Sequence, residues 1–306
     1  MNNIKSAKDT KKILILGVTG MLGNAIFRVL SENFDYHVLG TARNSSNLRY
    51  FSEQEGRRII TNIDVLNVDE LVSVFNHVRP DIVINCIGLI KQHKDTVNDP
   101  LVVLPINSIF PHRLSKLCKL VNARLILFST DCVFDGKKGN YSETDFSNAE
   151  DLYGKSKEIG EISSENHVFT IRTSIIGHEL SSSYSLVNWF LSQSGSVQGY
   201  KKAIFSGFPT YEIGRIIDTW IIPNPGLSGL YHVSADPISK YDLLALLAKE
   251  YNKKNEIIAS EHVVIDRSLN CDKFKNATGF RPKDWKTLVK ELKSSGEKYI
   301  GNVYVR

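Results

Sequence analysis

The apolar run "KILILG" (residues 12–17) passes without a break into "VTGMLGNAIFRVL". The run is short and aliphatic on both faces, as a fully buried strand is, and the stretch after it has helical apolar spacing. Only a tight turn carrying Gly17, Gly20 and Gly23 separates the two. The same alternation continues. "YHVLGTAR" (36–43), "RRIITNID" (57–64), "DIVINCIG" (81–88), "ARLILFST" (123–130) and "VFTIRTS" (168–174) read as buried strands, with helical patterns over 21–32, 67–78, roughly 105–121 and 153–164. Strands apolar on both faces and joined by helices predict an α/β fold, a doubly wound parallel sheet covered on two sides.

The second half is less regular. "GLYHVS" (229–234) reads as one more buried strand, "SKYDLLALLAKEY" (239–251) as a helix with Ser239 at its N-cap, and "WKTLVKEL" (285–292) as a short amphipathic helix. The expected division is a dinucleotide-binding domain over 1–176, joined by a returning segment near 213–234, with 177–306 forming mainly a smaller substrate-binding lobe.

Composition narrows the function classes. The 306 residues are 42% hydrophobic and 23% charged, with net charge +5 spread along the chain rather than blocked. This suits anionic small molecules and argues against nucleic acid. Cys86, Cys118, Cys132 and Cys271 are far apart with no CxxC pair, and the eight histidines show no metal spacing. A reducing cytosol and no metal site are expected. The opening stretch "MNNIKSAKDTKK" is polar and reads as neither signal peptide nor anchor, and no apolar run nears the ~18 residues of a membrane span.

At the glycine turn the backbone can approach a pyrophosphate closely, and a helix N-terminus supplies N–H donors and positive dipole. Dinucleotide sites that prefer NAD place an acid at the end of the second strand. Here Arg43 stands in that neighbourhood, and a guanidinium there pairs with a 2′-phosphate. This favours NADP over an idle surface arginine. Asp64, closing the third strand, has two readings: acceptor for the adenine amino group, or cap of the helix beginning near Asn67.

In "LYGKSKEIGE" (152–161), Tyr153 and Lys157 are four residues apart, on one face of a helix. With Ser129 and Thr130 at the end of the fifth strand, they complete an ordered set: glycine turn, hydroxyl, tyrosine, lysine. On "GVTGMLG", "INCIG", "FSTDCVFDG", "YGKSKEIGE", "IRTSIIG", "SGFPT", "GLYHVS" and "RSLNCDKF", the chain resembles the extended short-chain dehydrogenases, within them the dTDP-4-dehydrorhamnose reductases and related nucleotide-sugar reductases.

The resemblance implies a Rossmann domain and an NADPH-dependent reduction of a 4-keto sugar carried on a nucleotide diphosphate. Thr130, Tyr153 and Lys157 would be catalytic: Tyr153 gives the proton, Thr130 donates a hydrogen bond to the same substrate oxygen, and the Lys157 charge lowers the tyrosine pKa. It also implies that Lys157 bonds the nicotinamide ribose. The cofactor site would comprise Gly17, Thr19, Gly20, Met21, Leu22, Gly23, Arg43, Asp64, Val65, Cys86, Ile87, Gly88, Asn107, Tyr153 and Lys157. Asn107 has a purely structural alternative, as do Asn85 and Gly88, and Arg172 has the alternative of a strand-end anchor. Substrate residues would be Lys91, Asp131, Cys132, Phe208, Pro209 and Thr210. Lys91 and Gln92 also read as solvated loop residues.

Two positions depart from the family. Many relatives carry tyrosine where this chain has Cys132, and close rhamnose-pathway reductases carry tryptophan at Ile175. The expected partner is the nucleotide-sugar substrate in the cytoplasm, and a homodimer is possible. An epimerase with tightly bound NAD and a non-catalytic regulatory subunit of the same fold are the rival readings.

Overall fold

A computed structural model describes residues 10–91 and 97–301; Gln92 lies outside them. Strands β1 (Lys11–Leu16), β2 (Tyr36–Thr41), β3 (Ile59–Ile60), β4 (Ile82–Asn85), β5 (Arg124–Thr130) and β6 (Val168–Thr173) join Gly229–His232 in one seven-stranded sheet. The order is Gly229–His232, β6, β5, β4, β1, β2, β3, and every pairing is parallel. The doubly wound sheet read from the sequence is therefore present. Its late strand, expected in "GLYHVS", pairs with β6 from Gly229↔Phe169 to His232↔Arg172.

Alternate residues of β1 feed two cores. Ile13 and Ile15 pack with helix Met21–Leu30 and with Ile213, Ile216 and Ile217, while Leu14 and Leu16 pack with Leu71, Val74, Phe75, Phe110 and Leu114. The chain runs outward from β1 to β3, then crosses back to β4 on the other side of β1. That reversal opens a crevice beyond the carboxyl ends of β1 and β4, where sheets of this kind bind ligands.

Several elements differ from expectation, each for a local reason. β3 pairs over only two residues, because Asn62 takes a positive φ of 62° and turns the chain out of the sheet. The final helix runs Trp285–Ile300, well past residue 292. Beyond that point it is held by small residues: Ser295 is buried, and the His178 ring lies against Gly296. The central helix is Pro100–Leu104, a π turn at Pro105–Ile109, then Phe110–Leu120. Pro105 has no N–H for the carbonyl one turn earlier, and the wider turn absorbs that defect.

The next helix spans Leu152–Ile159 and stops short of 164. Gly160 brings the chain so close to the π turn that a Cβ there would fall 2.0 Å from the Asn107 carbonyl oxygen. Outside the sheet, Ser196–Tyr200 pairs with Glu256–Ser260, and Ala203–Phe205 pairs with Ile238–Ser239 and Ile265–Asp266. Ser239 caps helix Lys240–Glu250 as expected, its hydroxyl accepting the Asp242 N–H at 3.0 Å. Among the described residues no helix is long and apolar enough to cross a membrane.

The Gly160 contact has a measurable consequence. The Asn107 carbonyl is backbone and yields little, so Gly160→Ala should cost about 1–3 kcal/mol, read as a lower urea midpoint. Gly226→Ala, with nothing within 4 Å of the added Cβ, should leave the midpoint where it is.

Candidate active site

The site is assembled from loops at the carboxyl edge of the sheet. After β1, Gly17 has φ +83°, and a Cβ on Gly23 would fall 2.2 Å from the Gly17 carbonyl oxygen. The fold itself requires these two glycines. Gly20 differs: it is exposed, and a Cβ there would touch only the Gly17 oxygen at 3.6 Å. It is the N-cap of helix Met21–Leu30, with no side-chain cap and no acid in the first turn. An open, uncapped helix N-terminus beside a glycine is what a pyrophosphate requires, so the residues fit a dinucleotide. Thr19 and Met21 are half-buried at the turn, and Leu22 is buried.

Arg43 is exposed two residues beyond β2. Asp64 is exposed too, and its Oδ1 accepts the Leu66 N–H at 3.0 Å. The expected capping role belongs to Asn67 instead, which accepts from Asp69 and Glu70 N–H. Val65 is half-buried behind Asp64.

At the end of β4, Asn85 Oδ1 accepts the Ile87 N–H at 3.1 Å and turns the chain. Cys86 and Ile87 are half-buried and Gly88 exposed; burial pushes the Cys86 thiol up. Asn107, in the π turn, is 1% exposed, and its amide makes three hydrogen bonds. Oδ1 accepts the Leu89 N–H at 2.9 Å, and Nδ2 donates to the Leu89 carbonyl at 3.0 Å and to Ser156 Oγ at 3.1 Å. A Cβ at Gly88 would fall 3.5 Å from Asn107 Oδ1 and 3.8 Å from Lys157 Nζ. The fourth-strand loop, the central helix and the tyrosine helix thus meet at one point.

Thr130 closes β5, is buried, and accepts the Cys132 N–H at 3.1 Å while donating to Asp131 Oδ1 at 3.2 Å. Burial raises the Tyr153 phenol above its usual pKa, and hydrogen bonding with Thr130 works against that rise. Lys157 donates to the Phe128 carbonyl at 2.7 Å, and burial draws it down to about 8. Burial acts on both groups, favouring the protonated phenol and disfavouring the ammonium.

Lys91 is half-buried and ion-paired. It pairs with Asp151 Oδ2 at 2.5 Å and lies 5.7 Å from the centre of the Tyr153 ring. Asp151 also caps the tyrosine helix, accepting the Gly154 N–H at 2.8 Å. Asp131 is buried, which raises its pKa, with Arg267 opposing. Burial pushes the Cys132 thiol up to about 12, so it is no nucleophile at neutral pH.

Phe208 and Thr210, expected as substrate residues, are closed off from solvent. They are 0% and 1% exposed. The short strand Phe208–Pro209 pairs with Ile175–Ile176, which draws these side chains into the core, with Thr210 and Met21 both against Gly177.

The family described as the RmlD substrate binding domain matches residues 11–296. The chain belongs to this family. It is 25% identical to a dTDP-4-dehydrorhamnose reductase of Aggregatibacter actinomycetemcomitans, over 94% of this chain and 99% of that one. It is 26% identical to methionine adenosyltransferase 2 subunit beta of Xenopus tropicalis, over 79% of this chain and 72% of that one. Among solved structures, a dTDP-4-dehydrorhamnose reductase from Bacillus anthracis in complex with NADP matches with TM-score 0.74 at 19% identity, covering 93% of this chain and 98% of that one. WbmG of Bordetella bronchiseptica in complex with NAD and UDP matches at 0.75 and 17%, covering 95% and 96%. These two structures share the fold.

In this member of the RmlD family, sequence reasoning missed Asp151 and Arg267. Arg267 donates to the Phe134 carbonyl at 2.6 Å, and its charge acts on Asp131, Cys132 and Asp151. Its signal was faint: "RSLNCDKF" marked the segment without singling out the arginine. Asp151, immediately before the tyrosine helix, had the plainer signal of an N-cap type. Asp151→Ala should cost about 0.5–2 kcal/mol through the lost cap, whereas Asp151→Asn keeps the cap and should cost less. Urea denaturation of the two variants measures the difference.

Proposed function

We propose that the chain is an NADPH-dependent reductase of the 4-keto group of a nucleotide-diphosphate deoxysugar, with dTDP-4-dehydrorhamnose or a related 4-keto-6-deoxyhexose as substrate. The observation that carries this reading is the convergence of Thr130, Tyr153 and Lys157 beside the loop after β4, next to the uncapped glycine turn. Family membership and the reductase from Aggregatibacter support the substrate class.

The cofactor, when bound, supplies a hydride for the keto carbon. Gly17, Gly20 and Gly23 let the chain approach its pyrophosphate, Arg43 takes its 2′-phosphate, and Lys157 bonds its nicotinamide ribose. Tyr153, a phenol that holds its proton at neutral pH, gives it to the substrate oxygen. Thr130 donates a hydrogen bond to that oxygen as negative charge develops there. Burial of the reacting groups strengthens both interactions.

Tyr153→Phe should leave NADPH binding nearly intact while turnover falls about a hundredfold to ten-thousandfold. Thr130→Val should act mainly on turnover, and Lys157→Met on turnover and cofactor affinity together. The deciding assay is NADPH oxidation with a panel of nucleotide-linked 4-keto-6-deoxyhexoses, product configuration read by NMR. Near-normal turnover in Tyr153→Phe would refute the mechanism.

Arg43→Ala should erode the preference for NADPH over NADH by roughly tenfold to a hundredfold, since a charge-assisted phosphate contact is worth about 1.5–3 kcal/mol. Equal affinity of the unaltered protein for both cofactors would return Arg43 to the surface.

The match to a methionine adenosyltransferase subunit favours a second reading, in which the chain serves as a partner subunit of another enzyme. Absence of turnover across the whole panel, with NADPH still bound, would favour it. NAD released from the denatured pure protein would point instead to an epimerase.

A further inference from the structure

Behind the tyrosine helix lies a buried charged group with no part in the chemistry above. Glu161 and Arg172 form a two-pronged ion pair, Nε to Oε1 at 2.7 Å and Nη2 to Oε2 at 2.6 Å, with side chains 9% and 6% exposed. Ser129 Oγ donates to Glu161 Oε1 at 2.5 Å. Arg172 Nη2 also donates to Ser147 Oγ at 3.2 Å, and Nη1 faces His232 Nε2 at 3.4 Å. Apolar side chains of similar volume hold a core at least as well as a buried ion pair. Stability alone therefore does not account for it, and its position supplies another reason.

Glu161 stands four residues after Lys157. Phe128 and Ser129 are neighbours on β5: the carbonyl of the first receives the Lys157 ammonium, and the hydroxyl of the second holds the Glu161 carboxylate. Carboxylate and ammonium are thus held by consecutive residues of one strand. Resting on the reductase reading, we propose that the Glu161–Arg172 pair is a positioning element of the active site. Arg172 and Ser129 fix the Glu161 carboxylate four residues from Lys157, and that carboxylate favours the Lys157 ammonium.

The groups around Lys157 leave Glu161 as the source of that effect. On its own segment stand Tyr153 and Glu161. From β5 come the Phe128 carbonyl and Ser129. From the end of β4 comes Gly88, whose missing side chain leaves room for Lys157 Nζ and the neutral Asn107 amide. Tyr153 is a neutral phenol at neutral pH, so Glu161 alone of these is charged. Burial lowers Lys157 and the Glu161 charge opposes it. On the far side of the pair, burial and then Arg172 push His232 down to about 3, so His232 adds no charge.

The test is the titration of Lys157 in the full chain, by competitive acetylation with acetic anhydride from neutral to alkaline pH and peptide mass spectrometry. Lys157 should titrate near pH 8 in the unaltered protein. Glu161→Gln should lower that by about one unit or more, raising the reactive neutral fraction at pH 7 roughly fivefold. Because Glu161→Gln leaves Arg172 uncompensated, Glu161→Gln/Arg172→Met is made in parallel. It should stay folded and still show the lowered titration. A folded double variant whose Lys157 titrates as in the unaltered protein would overturn the proposal, leaving the pair a packing element. NADPH oxidation separates the two readings. A lowered titration in a protein without turnover keeps the clamp and removes the reductase. An active enzyme with an unmoved Lys157 does the reverse.

Discussion

The side chain of Asn107 holds the candidate site together. Its amide gives both hydrogens and takes one, joining the Leu89 backbone in the fourth-strand loop to Ser156 in the tyrosine helix. A buried amide with all three bonds made is stable, and one left unpaired is expensive, so the three segments are locked in a single arrangement. The π turn that presents Asn107 exists because Pro105 breaks the regular ladder, and Gly160 lets the tyrosine helix approach that turn. Lys157 reaches the Phe128 carbonyl only from this arrangement.

Burial is the second determinant, and it acts oppositely on the two ionisable residues. It disfavours the phenolate of Tyr153 and the ammonium of Lys157. A phenol already holds its proton at neutral pH, so the first effect makes Tyr153 a more reluctant donor. The second bears on Lys157, where the Glu161 charge opposes it.

What could be read from the sequence follows the range of the interactions. The parallel sheet, the glycine turn and the Ser239 cap rest on contacts within a few residues or on strand patterning, and each was legible. Asn107 meets Ser156 across 49 positions and Arg267 meets Phe134 across 133; no local pattern announces such pairs. Helix 285–300 outran its apolar pattern because Ser295 and Gly296 pack by being small. Lys91 read as a solvated loop residue because Asp151, its partner, is 60 positions away. Asp64 lost the capping role to Asn67, which stands directly before the helix.

The two sides of the site differ in how far family membership constrains them. The cofactor side is built from backbone turns, glycines and a helix terminus, whose geometry follows from the fold. Around Thr130 the site is built from side chains instead. Cys132 stands beside Thr130, and its buried thiol offers little hydrogen bonding. Arg267 and Lys91 bring positive charge to the same place, each held by its own partner. Burial and then the Asp131 charge hold that thiol neutral, so Cys132 adds no anion beside Thr130, and the two cations are each already held by a partner.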